Sequence, residues 1–181
     1  MLRTDARGIP PPPRTRIRAA ALLAAIGLGS LAALGVALVA QHGFGMEPCA
    51  WCVMQRLVVI LVAVTALAAA VVARVAPRPA ALIGSALVLA LSAGGAVAAW
   101  HQHTVAAKQL SCAFTWADRT LMSLQLDAVV PGLFRVGATC ADAAQATLLG
   151  QPFEVWSGLW FAGVAGLALF LMAGALRPAG R

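Results

Sequence analysis

Charge is what this chain has least of. Only 10% of its 181 residues are Asp, Glu, Lys or Arg, where a soluble domain carries about a quarter. Hydrophobic residues make up 61% and the mean hydropathy is +0.87. A soluble protein of this size cannot hide so much apolar surface, because small domains leave a large share of their residues exposed. A soluble enzyme, a disordered tail and a small secreted disulfide scaffold are therefore excluded. Cysteine is also sparse, at four residues, and no internal repeat is visible. The net charge of +7 has no compact basic stripe interleaved with aromatics behind it, which excludes nucleic acid as a partner. The solvent for most of the chain is lipid.

Four nearly uncharged runs stand out: Ala19 to Ala40, Cys52 to Ala73, Ala80 to Trp100 and Val155 to Leu176. At 1.5 Å per residue each crosses a hydrocarbon core of roughly 30 Å. They lack the alternation of barrel strands, and only helices or closed barrels satisfy the backbone in lipid. The expectation is an all-α membrane protein, a four-transmembrane-helix bundle covering 19–176 between short tails, 1–18 and 177–181. The first run is too long for a signal-peptide core and reads as a retained anchor, with the Pro10–Pro13 tract before it extended. Ala76-Pro77-Arg78-Pro79 is expected to make the tight turn between the second and third helices. Glycines such as Gly27, Gly29, Gly84, Gly95 and Gly163 would let the helices approach closely.

Nine of the thirteen basic residues flank these runs on one side: Arg3, Arg7, Arg14, Arg16, Arg18, Arg74, Arg78, Arg177 and Arg181. The positive-inside rule puts that side, with both tails, in the cytoplasm. Two outside loops follow, 41–51 and the long 101–154. They hold Glu47, Asp118, Asp127, Asp142 and Glu154 against Lys108, Arg119 and Arg135. Trp51, Trp100, Trp156 and Trp160 gather at the outside boundary as an aromatic belt.

All four cysteines fall on the outside, where no cytosolic buffer keeps thiols reduced. Cys49-Ala50-Trp51-Cys52 lies where the first loop enters the second helix, with Pro48 supporting a helix start. A helix N-terminus favours a thiolate in its first turn. A disulfide across so small a loop adds little stability, so the pair suits redox exchange better than stapling. Cys112 and Cys140 lie in the second loop with 27 residues between them. They could form a structural bridge or one open to a partner. Arg56, four positions after Cys52, sits on the same helix face, where its charge could favour that thiolate and donate to a carbonyl. The alternative is an arginine snorkelling to the headgroups. A zinc site is disfavoured because the second pair is not a Cys-x-x-Cys, so no metal is expected. His42, His101 and His103 fall at outside helix ends. His42 and His103 share the depth of Cys49, Cys52 and Arg56 and are candidates for a common pocket.

Together Gln41-His42, Pro48-Cys49-Ala50-Trp51-Cys52-Val53-Met54-Gln55-Arg56, His103-Thr104, Cys112, Gly137-Ala138-Thr139-Cys140-Ala141 and the Pro152/Trp156 entry to the last span resemble the disulfide bond formation protein B (DsbB) family. These are bacterial inner-membrane enzymes that reoxidise the periplasmic thiol oxidase DsbA and reduce quinone. The resemblance implies that Cys112–Cys140 oxidises DsbA, with Cys112 forming the mixed disulfide. Electrons then pass to Cys49–Cys52, and Cys52 engages ubiquinone, or menaquinone, beside Arg56. His103 matches a position near the quinone. The segment Leu126 to Phe134 corresponds to a short amphipathic helix on the membrane surface. Two positions depart from the pattern: Gln55 stands where Glu is common, and Thr139 where Asp is usual. The competing functional classes are a disulfide-stapled membrane scaffold and a related oxidoreductase serving another thioredoxin-fold partner.

Overall fold

The computed structural model describes residues 13–108 and 115–176, with side chains from residue 18 onward. The stretch before residue 13, Cys112 and the 177–181 tail lie outside the described residues. Four helices are long and apolar enough to cross a membrane. Helix α1 spans Pro13–Phe44 and α2 spans Ala50–Val72. The third crossing is built from α3 (Pro77–Pro79), a π-helical stretch Ala80–Gly84 and α4 (Ser85–Thr104).

Helix α1 runs past both ends of its apolar run. Pro13 suits a first helical position, where its missing N–H was without a partner anyway. At the other end Gln41 and His42 remain helical, and a ring nitrogen of His42 bonds the Leu38 carbonyl at 3.0 Å. The turn after α2 also differs from expectation. It occupies Ala73 to Ala76, closed by Arg74 N to Val71 O at 3.2 Å and Ala76 N to Val72 O at 2.9 Å. The two prolines do not make this turn. They open the next helix, for the same reason that Pro13 opens α1.

The long segment between α4 and the last helix carries more structure than its composition announced. Helix α5 (Trp116–Leu124) is capped by Thr115, whose hydroxyl accepts from Asp118 N at 3.3 Å. The expected Leu126–Phe134 helix is divided into α6 (Leu126–Val129) and α7 (Pro131–Phe134), because Pro131 starts a new helix and Val130 is driven out of helical geometry. Phe134 is buried, while Val129 and Val130 are exposed. Helix α8 (Cys140–Gln145) follows. A small hairpin, β1 (Thr147–Leu148) with β2 (Gln151–Pro152), leads into α9 (Phe153–Leu176).

Helix α2 packs extensively on α1 and on α4, and α4 in turn on α9; α1 and α9 meet only sparsely. One buried cluster, including Leu23, Ile26, Val62, Ala66, Val88, Val164 and Leu171, fills the half of the bundle away from the cysteines. Close approach depends on small residues: a Cβ on Gly95 would fall 2.5 Å from the Phe161 ring, which is fully buried between α4 and α9. The outward surface carries Leu28, Val64, Val97, Leu159 and Phe170, the composition that lipid demands. The chain is a multi-pass membrane protein.

Candidate functional site

Helix α2 begins at Ala50 because Cys49 caps it. Cys49 has extended backbone geometry, and its sulfur accepts from Cys52 N at 3.4 Å. The cap draws the two sulfurs to 3.1 Å, well beyond the ~2.05 Å of a disulfide. Both cysteines are free thiols in this state. Cys49 is fully buried in a cluster with Trp51, Leu121, Phe134 and Cys140. Its thiol pKa is pushed up, first by the hydrogen bond shared with Cys52 and then by burial.

Burial of Cys49 comes from the long second loop. Gly137 N and Ala138 N both donate to the Pro48 carbonyl, at 3.0 and 3.3 Å. That seats the start of α8 against the Cys49 turn. Thr139 caps α8, accepting from Asp142 N at 3.1 Å and donating to Asp142 Oδ2 at 2.7 Å. Cys140 is disulfide-bonded.

The other sulfur faces a different environment. Cys52 and Arg56 line a cavity of about 450 Å³ enclosed by Gly29 to Ala40 of α1, the first turns of α2 and Phe153 to Trp160 of α9. Most of the wall is apolar, with Ala, Val and Leu the commonest residues, and the hairpin residues Leu148 and Leu149 reach its edge. Trp156 Nε1 fastens that hairpin by donating to Leu148 O at 2.8 Å. Gly29 and the Trp160 ring approach one another so closely that a Cβ on Gly29 would lie 2.7 Å from the indole.

Arg56 is buried, and its Nη1 donates to Gln41 Oε1 at 2.5 Å and to the Leu133 carbonyl at 3.1 Å. It thereby ties α2 to α1 and α7, which a snorkelling arginine would not do. Both contacts among the described residues use one nitrogen of a group with five N–H donors. A polar chain runs from Cys52 the other way. Gln102 Nε2 donates to Cys52 Sγ at 3.1 Å, Gln55 Nε2 donates to Gln102 Oε1 at 2.7 Å, and Ser157 Oγ donates to Gln55 Oε1.

The histidines are placed apart from the cavity wall. His42 is exposed and turned onto its own helix. His103 lies 3.3 Å from Glu154, and His101 stacks on Trp51 with ring centroids 4.6 Å apart. Sequence reasoning missed Gln102, Glu154 and Ser157. Polar residues at the outer ends of the third and fourth spans were the available signal. Among the described residues, no cluster of His, Cys, Asp or Glu could hold a metal ion.

The family model for disulfide bond formation protein DsbB matches residues 18–171. The chain belongs to the DsbB family. It is 34% identical over 157 residues to disulfide bond formation protein B of Herminiimonas arsenicoxydans, covering 86% of this chain and 94% of that one. The corresponding protein of Azoarcus sp. (strain BH72) is 36% identical over 148 residues, 79% of this chain and 86% of its own. That of Polaromonas naphthalenivorans is 31% identical over 159 residues, 84% and 90%. No solved structure matches the chain. As a DsbB-family protein, it is a membrane oxidoreductase that generates disulfide bonds.

Proposed function

We propose that this DsbB-family protein oxidises a DsbA-type thiol oxidase at the periplasmic face of the bacterial inner membrane and hands the electrons to membrane quinone. The observation that carries this reading is Cys52 lining an apolar cavity while its partner sulfur, Cys49, is packed beneath the second loop. One sulfur pair thus communicates with two phases.

The cavity suits a quinone headgroup. Its volume lies in the range of small-molecule sites, roughly 300–1,000 Å³, and its wall is apolar with few polar groups. Arg56 supplies donors for a ring carbonyl. When bound, the quinone supplies a two-electron, two-proton acceptor dissolved in lipid. Cys52 presents its sulfur to the cavity, and Gln102 holds that sulfur in place.

Cys112–Cys140 is the disulfide offered to the protein partner, with Cys112 taking the mixed disulfide. The Pro48 contacts hold Cys140 in the cluster of Cys49, so the second pair can pass its electrons to the first. The positive-inside rule supports a cytoplasmic side for both termini, since Arg74 and Arg78 follow α2 at the end away from Cys49.

The test is quinone reduction by reduced DsbA with the full chain in lipid nanodiscs. Cys49→Ser and Cys52→Ser are expected to abolish turnover while leaving the protein folded in the membrane. Full turnover in either variant overturns the relay.

A further inference from the structure

The reading above leaves one buried ionisable group without a task. Glu154, in the first turn of α9, is 3% exposed and is the buried acid among the described residues. Its Oε1 lies 3.3 Å from His103 Nδ1, and its Oε2 has no hydrogen-bond partner among the described residues. The two side chains differ in access to water, with 51% of His103 exposed against 1% of Glu154. Glu154 also lines the cavity that holds Cys52 and Arg56. A buried carboxyl oxygen without a partner is costly, and an ionisable side chain at membrane depth is a functional candidate by default.

The chemistry in this cavity requires protons to move. When the Cys49–Cys52 dithiol becomes a disulfide, two S–H bonds break, one S–S bond forms and two electrons leave. A quinone becomes a quinol by gaining those two electrons and two protons as two O–H bonds. The polar chain on Cys52 cannot carry them as an acid, because Gln102 and Gln55 are amides and Ser157 is a weakly acidic hydroxyl. Arg56 does not release its proton. Glu47 also touches the cavity but is exposed in the loop before α2.

We propose that Glu154 carries protons between the sulfur pair and the reduced quinone oxygen, with Oε2 as the working atom and His103 connecting Oε1 to water. The proposal rests on the quinone-reducing reading. Glu154 and His103 end each cycle in the protonation state in which they began it, so the dithiol and quinone account for every proton and electron. The charged or titratable groups that touch Glu154 or share its cavity are His103 from α4, Cys52 and Arg56 from α2, and Glu47 from the loop. The α1 wall and the rest of α9 contribute none, and α8 lines the cavity through Ala143 and Ala146, its Asp142 being bonded to Thr139.

Two measurements on the full chain in nanodiscs test it. The first needs no quinone. The infrared difference spectrum between dithiol and disulfide forms should contain a carboxyl C=O band that shifts in D2O and disappears in Glu154→Gln. A spectrum without that band, or one unchanged by the substitution, overturns the proposal. In the second, turnover with a short-chain quinone should fall by about 10²-fold in Glu154→Gln at unchanged apparent KM for quinone, the scale of a lost general acid. His103→Asn should lose less, and added imidazole should restore it. Glu154→Gln at the wild-type rate overturns the relay alone, provided Cys52→Ser is dead. Turnover by Cys52→Ser instead overturns the quinone reading beneath it. If Glu154→Gln does not fold, the wild-type band and the imidazole rescue decide, and absence of both overturns the proposal.

Discussion

Gln102 Nε2 donates to Cys52 Sγ at 3.1 Å, so a side chain from α4 holds the sulfur that α2 presents to the cavity. The donated N–H stabilises the reduced sulfur and has no counterpart of equal strength in the disulfide. Gln102→Leu should therefore make the Cys49–Cys52 couple less oxidising. A hydrogen bond of about 1.5 kcal/mol corresponds to a potential lower by about 30 mV for a two-electron couple. Equilibration against glutathione buffers measures it, and an unchanged potential would remove Gln102 from the redox machinery.

Cys49 gives a pH prediction of definite sign. A raised thiol pKa means less thiolate at any given pH. A free cysteine is half ionised at about pH 8.5. Cys49 in the folded, reduced protein should still be a thiol there, held by its bond to Cys52 and by burial. Iodoacetamide should label it slowly at that pH and rapidly after denaturation. Labelling that follows an ordinary thiol titration in the folded protein would contradict the geometry.

Arg56 holds Gln41 and the Leu133 carbonyl as well as facing the cavity. Arg56→Ala should raise the apparent KM for quinone by roughly tenfold or more, the scale of one charge-assisted hydrogen bond. Arg56→Lys should recover only part of this, since an ammonium lacks the planar fork needed to serve several acceptors at once. An unchanged KM in Arg56→Ala would confine the residue to bracing the loop.

Neighbouring glycines on α4 should respond in opposite directions. Gly95 faces the Phe161 ring at 2.5 Å from a built Cβ, whereas Gly94 has nothing within 4 Å. Gly95→Ala should destabilise by about 1–3 kcal/mol through overpacking. Gly94→Ala should stabilise by up to about 1 kcal/mol through helix propensity. Thermal unfolding in detergent compares them, and equal shifts would deny the α4–α9 contact its role.

Hydropathy made the four crossings legible because lipid leaves the backbone few alternatives. The Cys49–Cys52 turn was legible too, from Pro48 and the spacing. The Pro77–Pro79 assignment missed because a proline can end one helix or begin the next, and only packing on α2 decides. Helices α5 and α8 were hidden by their length, but each has a Thr cap with an Asp three residues on. Thr139 serves as such a cap, accepting from the first turn of α8, and Asp in its place could do the same. Gln102 and Glu154 were illegible for another reason. Each looks like an ordinary polar residue at a membrane boundary, and their meeting with Cys52 and His103 spans about fifty residues of chain.

The loose seam between α1 and α9 gives the cavity a flank facing acyl chains. On the proposed function, traffic from the two phases would then never share a doorway: protein thiols would work from above while the greasy passenger slipped in edgewise. Exchange of that passenger should track the fluidity of the surrounding bilayer, with no need for the bundle to part.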